Sequence, residues 1–230
     1  MRASLVVSSI ALTLTFTLPA ASKDVADPRA ADRAGCDGGQ ASSCYDLALA
    51  YDNGDGVAKD DAYAATLYAK ACDLGHVKAC FNLAVDYDDG DGLAKDQSRA
   101  AAFYAKACDA GYAKSCHNLA IDYDEGDGVA VDKARAANLY GRACDGGDVK
   151  GCVNLGLHYD HGEGVARDRA RAVGLYARAC DGGNATGCYD LALDYDTGDG
   201  VTQDKARAAA LFKKACDGGD SDACAKLAPQ

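Results

Sequence analysis

The sequence predicts an all-α solenoid of α/α hairpins, repeated about five times with a 36-residue period and one disulfide per hairpin. Three observations carry this. Twelve cysteines fall in six pairs: Cys36 with Cys44, Cys72 with Cys80, Cys108 with Cys116, Cys144 with Cys152, Cys180 with Cys188, and Cys216 with Cys224. Eight positions separate the members of a pair, and 36 separate successive pairs. Apolar residues inside each period recur at helical spacing. Glycines and aspartates recur in register at places that end or start helices.

The N-terminus reads as an export signal. Arg2 gives a positive start, Leu5 to Leu18 is apolar apart from Ser and Thr, and Pro19-Ala20-Ala21-Ser22 offers small residues for cleavage. Residues 1–22 are therefore assigned as a signal peptide, residues 23–30 as a short lead-in, and residues 31–228 as the solenoid. Ala34-Gly35-Cys36 looks superficially like a lipid-attachment site. It lies well past the apolar stretch, behind several charged residues, and Cys36 has its own partner in register. In an exported chain an even cysteine count reads as a disulfide framework. The repeat selects one connectivity: each cysteine with its neighbour eight residues away. The expected location is the periplasm or the exterior.

Taken in order, each period holds two helices. After Cys44, Leu47 and Tyr51 stand four apart, as do Asp46 and Ala50, giving an apolar and a more polar face to a first helix, A. Gly54 and Gly56 break it. Asp60 is placed to cap a second helix, B, in which Ala64, Leu67, Tyr68 and Ala71 form one buried stripe. Gly75 ends helix B as the left-handed residue after the cap. The other copies agree: Tyr51 recurs as Tyr87, Tyr123, Tyr159 and Tyr195, and Asp60 as Asp96, Asp132, Asp168 and Asp204. A partial helix B, about 28–36, opens the array, and a partial helix A, about 221–228, closes it.

Bulk properties narrow the partners. A formal net charge of -11 repels nucleic acid and anionic lipid. Nothing after residue 22 is apolar for the ~20 residues a bilayer span needs, so no membrane insertion is expected once the signal is cleaved.

The unit Lys70-Ala71-Cys72-x-x-Gly75-x-x-x-Cys80-x-x-Leu83-x-x-x-Tyr87-x-x-Gly90-x-Gly92-Leu93-x-x-Asp96 resembles a Sel1-like repeat. That family is related to the tetratricopeptide repeats, and the resemblance implies hairpins stacked in a right-handed superhelix. The added cysteine pair is similar to that of the Helicobacter cysteine-rich proteins. The resemblance implies a non-catalytic scaffold whose concave groove, lined by helix A, takes a protein or an extended peptide. As the alternative it implies β-lactam binding or hydrolysis, because some cysteine-rich relatives are labelled β-lactamases. A monomer without cofactor is expected.

On helix A the residue before the core leucine is Asp46, Asn82, Asn118, Asn154 and Asp190. Four residues later come Ala50, Asp86, Asp122, His158 and Asp194. Amides that donate and accept suit a peptide backbone, and acids beside them favour Lys, Arg or a free amine. The same residues also suit bonds between neighbouring helices, and both roles remain open. The loops Asp52-x-Gly54-Asp55-Gly56 and their copies lack EF-hand spacing. The four histidines His76, His117, His158 and His161 form no H-x-H or H-E-x-x-H zinc motif, and the last two read as surface substitutions. Cysteine pairs with seven intervening residues do not match zinc spacing either, so no metal is assigned. There is no S-x-x-K, S-D-N or K-T-G, and no catalytic residue is assigned. The helix B arginines (Arg99, Arg135, Arg171, Arg207) and the cations near the end of helix B (Lys70, Lys106, Arg142, Arg178, Lys214) are expected to be solvated or paired with the loop acids.

Overall fold

A computed structural model describes residues 27–227, so the signal peptide assigned to residues 1–22 lies outside the described residues. Twelve α-helices and no strands are found in the described residues. They are α1 (Ala30–Asp37), α2 (Ala41–Asn53), α3 (Asp61–Asp73), α4 (Val77–Asp89), α5 (Gln97–Asp109), α6 (Ala113–Glu125), α7 (Lys133–Asp145), α8 (Val149–His161), α9 (Arg169–Asp181), α10 (Ala185–Thr197), α11 (Lys205–Asp217) and α12 (Ser221–Leu227). Even-numbered helices are the A helices and odd-numbered ones the B helices. Each packs chiefly on the helices before and after it in the chain, which makes an α/α solenoid.

The start and stop signals act as the sequence predicts. The Asp60 carboxylate accepts the Tyr63 backbone N–H at 2.9 Å, and Asp96, Asp132, Asp168 and Asp204 do the same for Arg99, Arg135, Arg171 and Arg207. Helix A ends at a left-handed glycine, as at Gly54, and helix B is followed by one, as at Gly75. Helix A is longer than its cysteine suggests: Cys44 is the fourth residue of α2, which begins at Ala41.

The core is thin and rich in alanine. Ala64, Leu67, Tyr68 and Ala71 are all buried, as their spacing requires. Most of the buried bulk in helix B comes from one ring per repeat: Tyr68, Tyr104, Tyr140, Tyr176 and Phe212.

All six predicted bridges form, with Cα atoms 4.4 to 4.7 Å apart. Cys36 is joined to Cys44, Cys72 to Cys80, Cys108 to Cys116, Cys144 to Cys152, Cys180 to Cys188, and Cys216 to Cys224. Each bridge crosses the turn from one helix B to the next helix A and leaves no free cysteine among the described residues. The first five bridges are buried at both ends, Cys152 and Cys188 included. The sixth departs from the pattern: Cys216 is half-buried and Cys224 is exposed. The reason is positional, because α12 is the short last helix of the described residues and no described helix B packs behind it.

Candidate binding groove

Successive A helices lie close enough to enclose cavities between them. A cavity of about 660 Å³ is lined by Phe81 of α4, Tyr112, His117 and Asn118 at the start of α6, and Asp148 and Lys150 at the start of α8. A second, of about 390 Å³, is lined by Asp124 and Glu125 of α6, Tyr140 of α7, Asn154 and His158 of α8, and Glu163. Of the two polar rows of helix A, Asn118, Asn154 and His158 line these spaces, and both rows sit deeper than expected.

In the first row, Asp46 is exposed, while Asn82, Asn118, Asn154 and Asp190 are half-buried. Burial raises the pKa of Tyr68, Tyr104 (to about 12) and Tyr140, and the neighbouring side chains of Asn82, Asn118 and Asn154 respectively act to lower it. Asn154 Nδ2 also lies 3.3 Å from Nε2 of His117 on the preceding A helix. Asn154 thus bonds within the stack, while the Tyr68 hydroxyl donates to Asp52 Oδ2 at 2.9 Å.

The second row turns inward. Ala50, Asp122 and His158 are buried, and Asp86 and Asp194 are half-buried. Burial pushes the Asp86, Asp122 and Asp194 carboxyls up to about 7, and neighbouring acids add to the effect. The strongest of these neighbours stands each time on the previous A helix: Asp52 for Asp86, Asp88 for Asp122 and Asp160 for Asp194. Asp190 is pushed up to about 6, again first by burial. Oδ2 of Asp122 and of Asp194 is buried with no hydrogen-bond partner among the described residues. At neutral pH these rungs are poised to hold a proton or to receive a donor.

Two expectations from the sequence need correction. His158 is not a surface substitution: it is buried, its Nδ1 lies 2.8 Å from the Glu163 carbonyl oxygen, and its Nε2 lies 3.3 Å from Asp124 Oδ1. His161 is exposed as expected. The cations near the end of helix B are exposed, as one arm of the expectation has it, but their ion pairs are not with loop acids. They reach back one repeat to the last residue of the preceding helix B: Lys70 to Asp37, Lys106 to Asp73, Arg142 to Asp109, Arg178 to Asp145 and Lys214 to Asp181. The arginines near the start of helix B cover tyrosine rings of helix A, Arg99 over Tyr87, Arg135 over Tyr123, Arg171 over Tyr159 and Arg207 over Tyr195. Arg99 and Arg171 also pair with the capping aspartates Asp96 and Asp168.

One further surface emerges only from the stack. The residue before the amide row, Tyr45, Phe81, His117, Val153 and Tyr189, is mostly aromatic and partners the residue at the start of helix A. Tyr45 stacks on His76, and Phe81 meets Tyr112 edge-on at 5.2 Å. Its signal in the sequence is a run of aromatics at 36-residue spacing, masked because neither series keeps one residue type.

Comparison with known proteins assigns this architecture. A family profile described as Sel1 repeat matches residues 41–76, 77–112, 113–148, 149–184 and 185–220. In that phase each disulfide ties the end of one repeat to the next. No curated protein sequence matches the chain. Among solved structures, the chain is similar to c5321, a protective antigen of uropathogenic Escherichia coli with an SLR fold, at 34% identity and a TM-score of 0.83. The match covers 85% of this chain and 42% of the other, so the chain spans well under half of that protein's length. A Sel1 repeat protein from Oxalobacter formigenes is 28% identical with a TM-score of 0.75, covering 88% of this chain and 87% of that one. Cysteine rich protein B of Helicobacter pylori is 30% identical over 58% of this chain and 96% of its own, with a TM-score of 0.48.

Proposed function

This chain belongs to the Sel1 repeat family, and we propose that it is an exported, disulfide-stapled scaffold that binds a protein or extended peptide between its A helices, without catalysis. The signal-like residues 1–22 and six bridges among twelve cysteines support a location outside the reducing cytoplasm, periplasmic or secreted. The observation that carries the binding reading is the row of sunken acids. Asp86, Asp122 and Asp194 recur at one position of α4, α6 and α10, two of them with an oxygen that no described residue satisfies, and a buried acceptor without a donor is costly. A lysine, arginine or amino group of a partner supplies both the donor and the charge that ionises the row. The partner is accordingly a basic, extended segment, in keeping with the net charge of -11. The β-lactam alternative rests on family resemblance alone and gains no residue from the structure.

The acids are the place to test this. Asp86→Asn, Asp122→Asn and Asp194→Asn together keep shape and remove charge. Cross-linked capture from cell-envelope extract by the oxidised protein is expected to yield a partner that the triple variant loses, with binding that weakens as salt rises. Equal capture by both proteins, or capture by neither, counts against the groove.

A further inference from the structure

We infer that Asp124, His158 and Glu163 form a transition-metal site between the third and fourth repeats, with Zn²⁺ as the ion whose chemistry matches. This goes beyond partner binding and does not depend on it. One ligand atom from each of the three residues lies within 4.8 Å of the others. Tetrahedral zinc with ligands at ~2.0–2.2 Å sets neighbouring ligand atoms roughly 3.4 Å apart. His158 Nε2 and Asp124 Oδ1 are 3.3 Å apart. The third ligand, Glu163, is exposed and free to close on the ion.

The histidine is oriented as a ligand. A carbonyl oxygen only accepts, so the 2.8 Å approach of His158 Nδ1 to the Glu163 carbonyl places the proton on Nδ1. In the neutral ring Nε2 then carries a lone pair aimed at Asp124. A backbone carbonyl behind the distal nitrogen is the usual support for a metal-bound imidazole. Only 5% of the His158 side chain is exposed, and Tyr140 meets the ring edge-on at 5.3 Å, so the ring cannot readily turn away. Facing it, Asp124 Oδ1 is buried, and its cationic neighbour is the Lys133 ammonium. With Nε2 unprotonated, imidazole and carboxylate together offer two lone pairs to one cation.

Lys133 marks the place. Its Nζ lies 2.7 Å from Asp124 Oδ1 and 3.4 Å from Glu163 Oε2. Its side chain is 40% exposed and able to swing into solvent. The lysine is thus a competitor that a divalent ion displaces. Other repeats carry Ala50, Asp86, Asp122 and Asp194 where this one has His158, so only this rung offers imidazole. An imidazole with two carboxylates favours zinc or its transition-metal neighbours over calcium, which prefers oxygen alone. The ligands come from two repeats, which is why no contiguous motif exists. With every described cysteine bridged, no thiolate competes for the ion.

The test is calorimetric titration of the chelator-treated, oxidised protein with zinc chloride near neutral pH. One saturable site per chain is expected. His158→Asn keeps a donor for the Glu163 carbonyl but lacks Nε2, and should weaken the site by roughly tenfold or more. Glu163→Gln should weaken it as well, and Lys133→Gln should tighten it. Melting of each variant without zinc checks the fold. If His158→Asn fails to fold, the two exposed-side variants decide: opposite shifts support the site, and unchanged affinity in both overturns it. Equal binding by the parent and a folded His158→Asn variant means diffuse binding to surface acids and overturns the site. Absence of saturable binding by the parent does the same and leaves His158 as an ion-pair partner of Asp124.

Discussion

The Gln97 carbonyl occupies the space where a side chain on Gly128 would stand. Gly128 is the second glycine of the loop after α6, with a φ of +67°, and Gln97 opens α5 of the repeat before. The same contact joins Gly92 to Asp61, Gly164 to Lys133 and Gly200 to Arg169. In the first loop, where only a partial helix B precedes, Gly56 meets Pro28 instead. The second loop glycine therefore does more than break a helix: it seats each repeat on its predecessor. At Gly164 this contact also sets Lys133 near Glu163.

Gly128→Ala is accordingly expected to destabilise far more than Gly147→Ala. Gly147 also has a positive φ, +92°, but a Cβ there would meet nothing within 4 Å. Backbone strain alone should cost about 1–2 kcal/mol at Gly147. At Gly128 the clash adds to it, for a total of ~3 kcal/mol or more. Urea unfolding of the two variants compares them directly, and equal losses would show that the seating contact is not needed.

The bridges predict a strong dependence on oxidation. A loop closed over eight residues contributes roughly 2–3 kcal/mol by chain entropy, and the alanine-rich core has little to replace it. Cys108→Ala with Cys116→Ala should lower the melting temperature and selectively speed amide exchange in α5 and α6, because stability in a repeat array is local. Full reduction should lower it much further. An unchanged melting point after reduction would remove the staple argument, and a long-range bridge in a peptide map would remove the connectivity.

The fold was legible because helices, caps and turns are local, and because errors in one copy are corrected by four others. Asp60 capping α3 and Gly75 after it required only neighbours in sequence. The site was less legible because its relations run between repeats. Nothing within one period says that Asp86 faces Asp52, that Arg178 reaches Asp145, or that His158 sinks against Asp124. Helical spacing placed Asp46 and Ala50 on one polar face, whereas stacking buries the second of these positions and leaves the first exposed.

The rearward cations are expected to act through a carbonyl as much as through charge. Arg178 Nη1 is 2.9 Å from Asp145, whose side chain is largely exposed, and Nη2 donates to the Cys144 carbonyl at 2.6 Å. Asp145→Asn should cost less than about 0.5 kcal/mol, as exposed ion pairs do. Arg178→Met should cost about 1–2 kcal/mol, since it leaves the half-buried carbonyl without its charged donor. Arg178→Lys should recover part of the loss, because Lys214 reaches the Cys180 carbonyl at 3.0 Å from the equivalent place. Equal effects of Asp145→Asn and Arg178→Met in chemical unfolding would assign the interaction to charge alone.

Asp122 gives the stack a stability that falls as pH rises. Its folded-state pKa is pushed up to about 7 by burial first and by the nearby Asp88, Asp127 and Glu125 carboxylates next, against an ordinary value of 3.8. The folded chain therefore holds a proton that the unfolded chain releases. Stability from this group is fully present below the ordinary value, declines between it and about 7, and is absent above. Asp122→Asn keeps the shape and removes the titration, so it should raise the melting temperature near pH 8 and leave it almost unchanged near pH 4. A tenfold difference in proton affinity between folded and unfolded chains is worth about 1.4 kcal/mol, and screening by solvent reduces the sum, so a gain of roughly 1–2 kcal/mol is expected at the higher pH. A gain of equal size at both pH values would trace the effect to packing. A loss at pH 8 would mean that the ionised carboxylate is held by a donor on the stack, and the row of acids would then have no need of a basic partner.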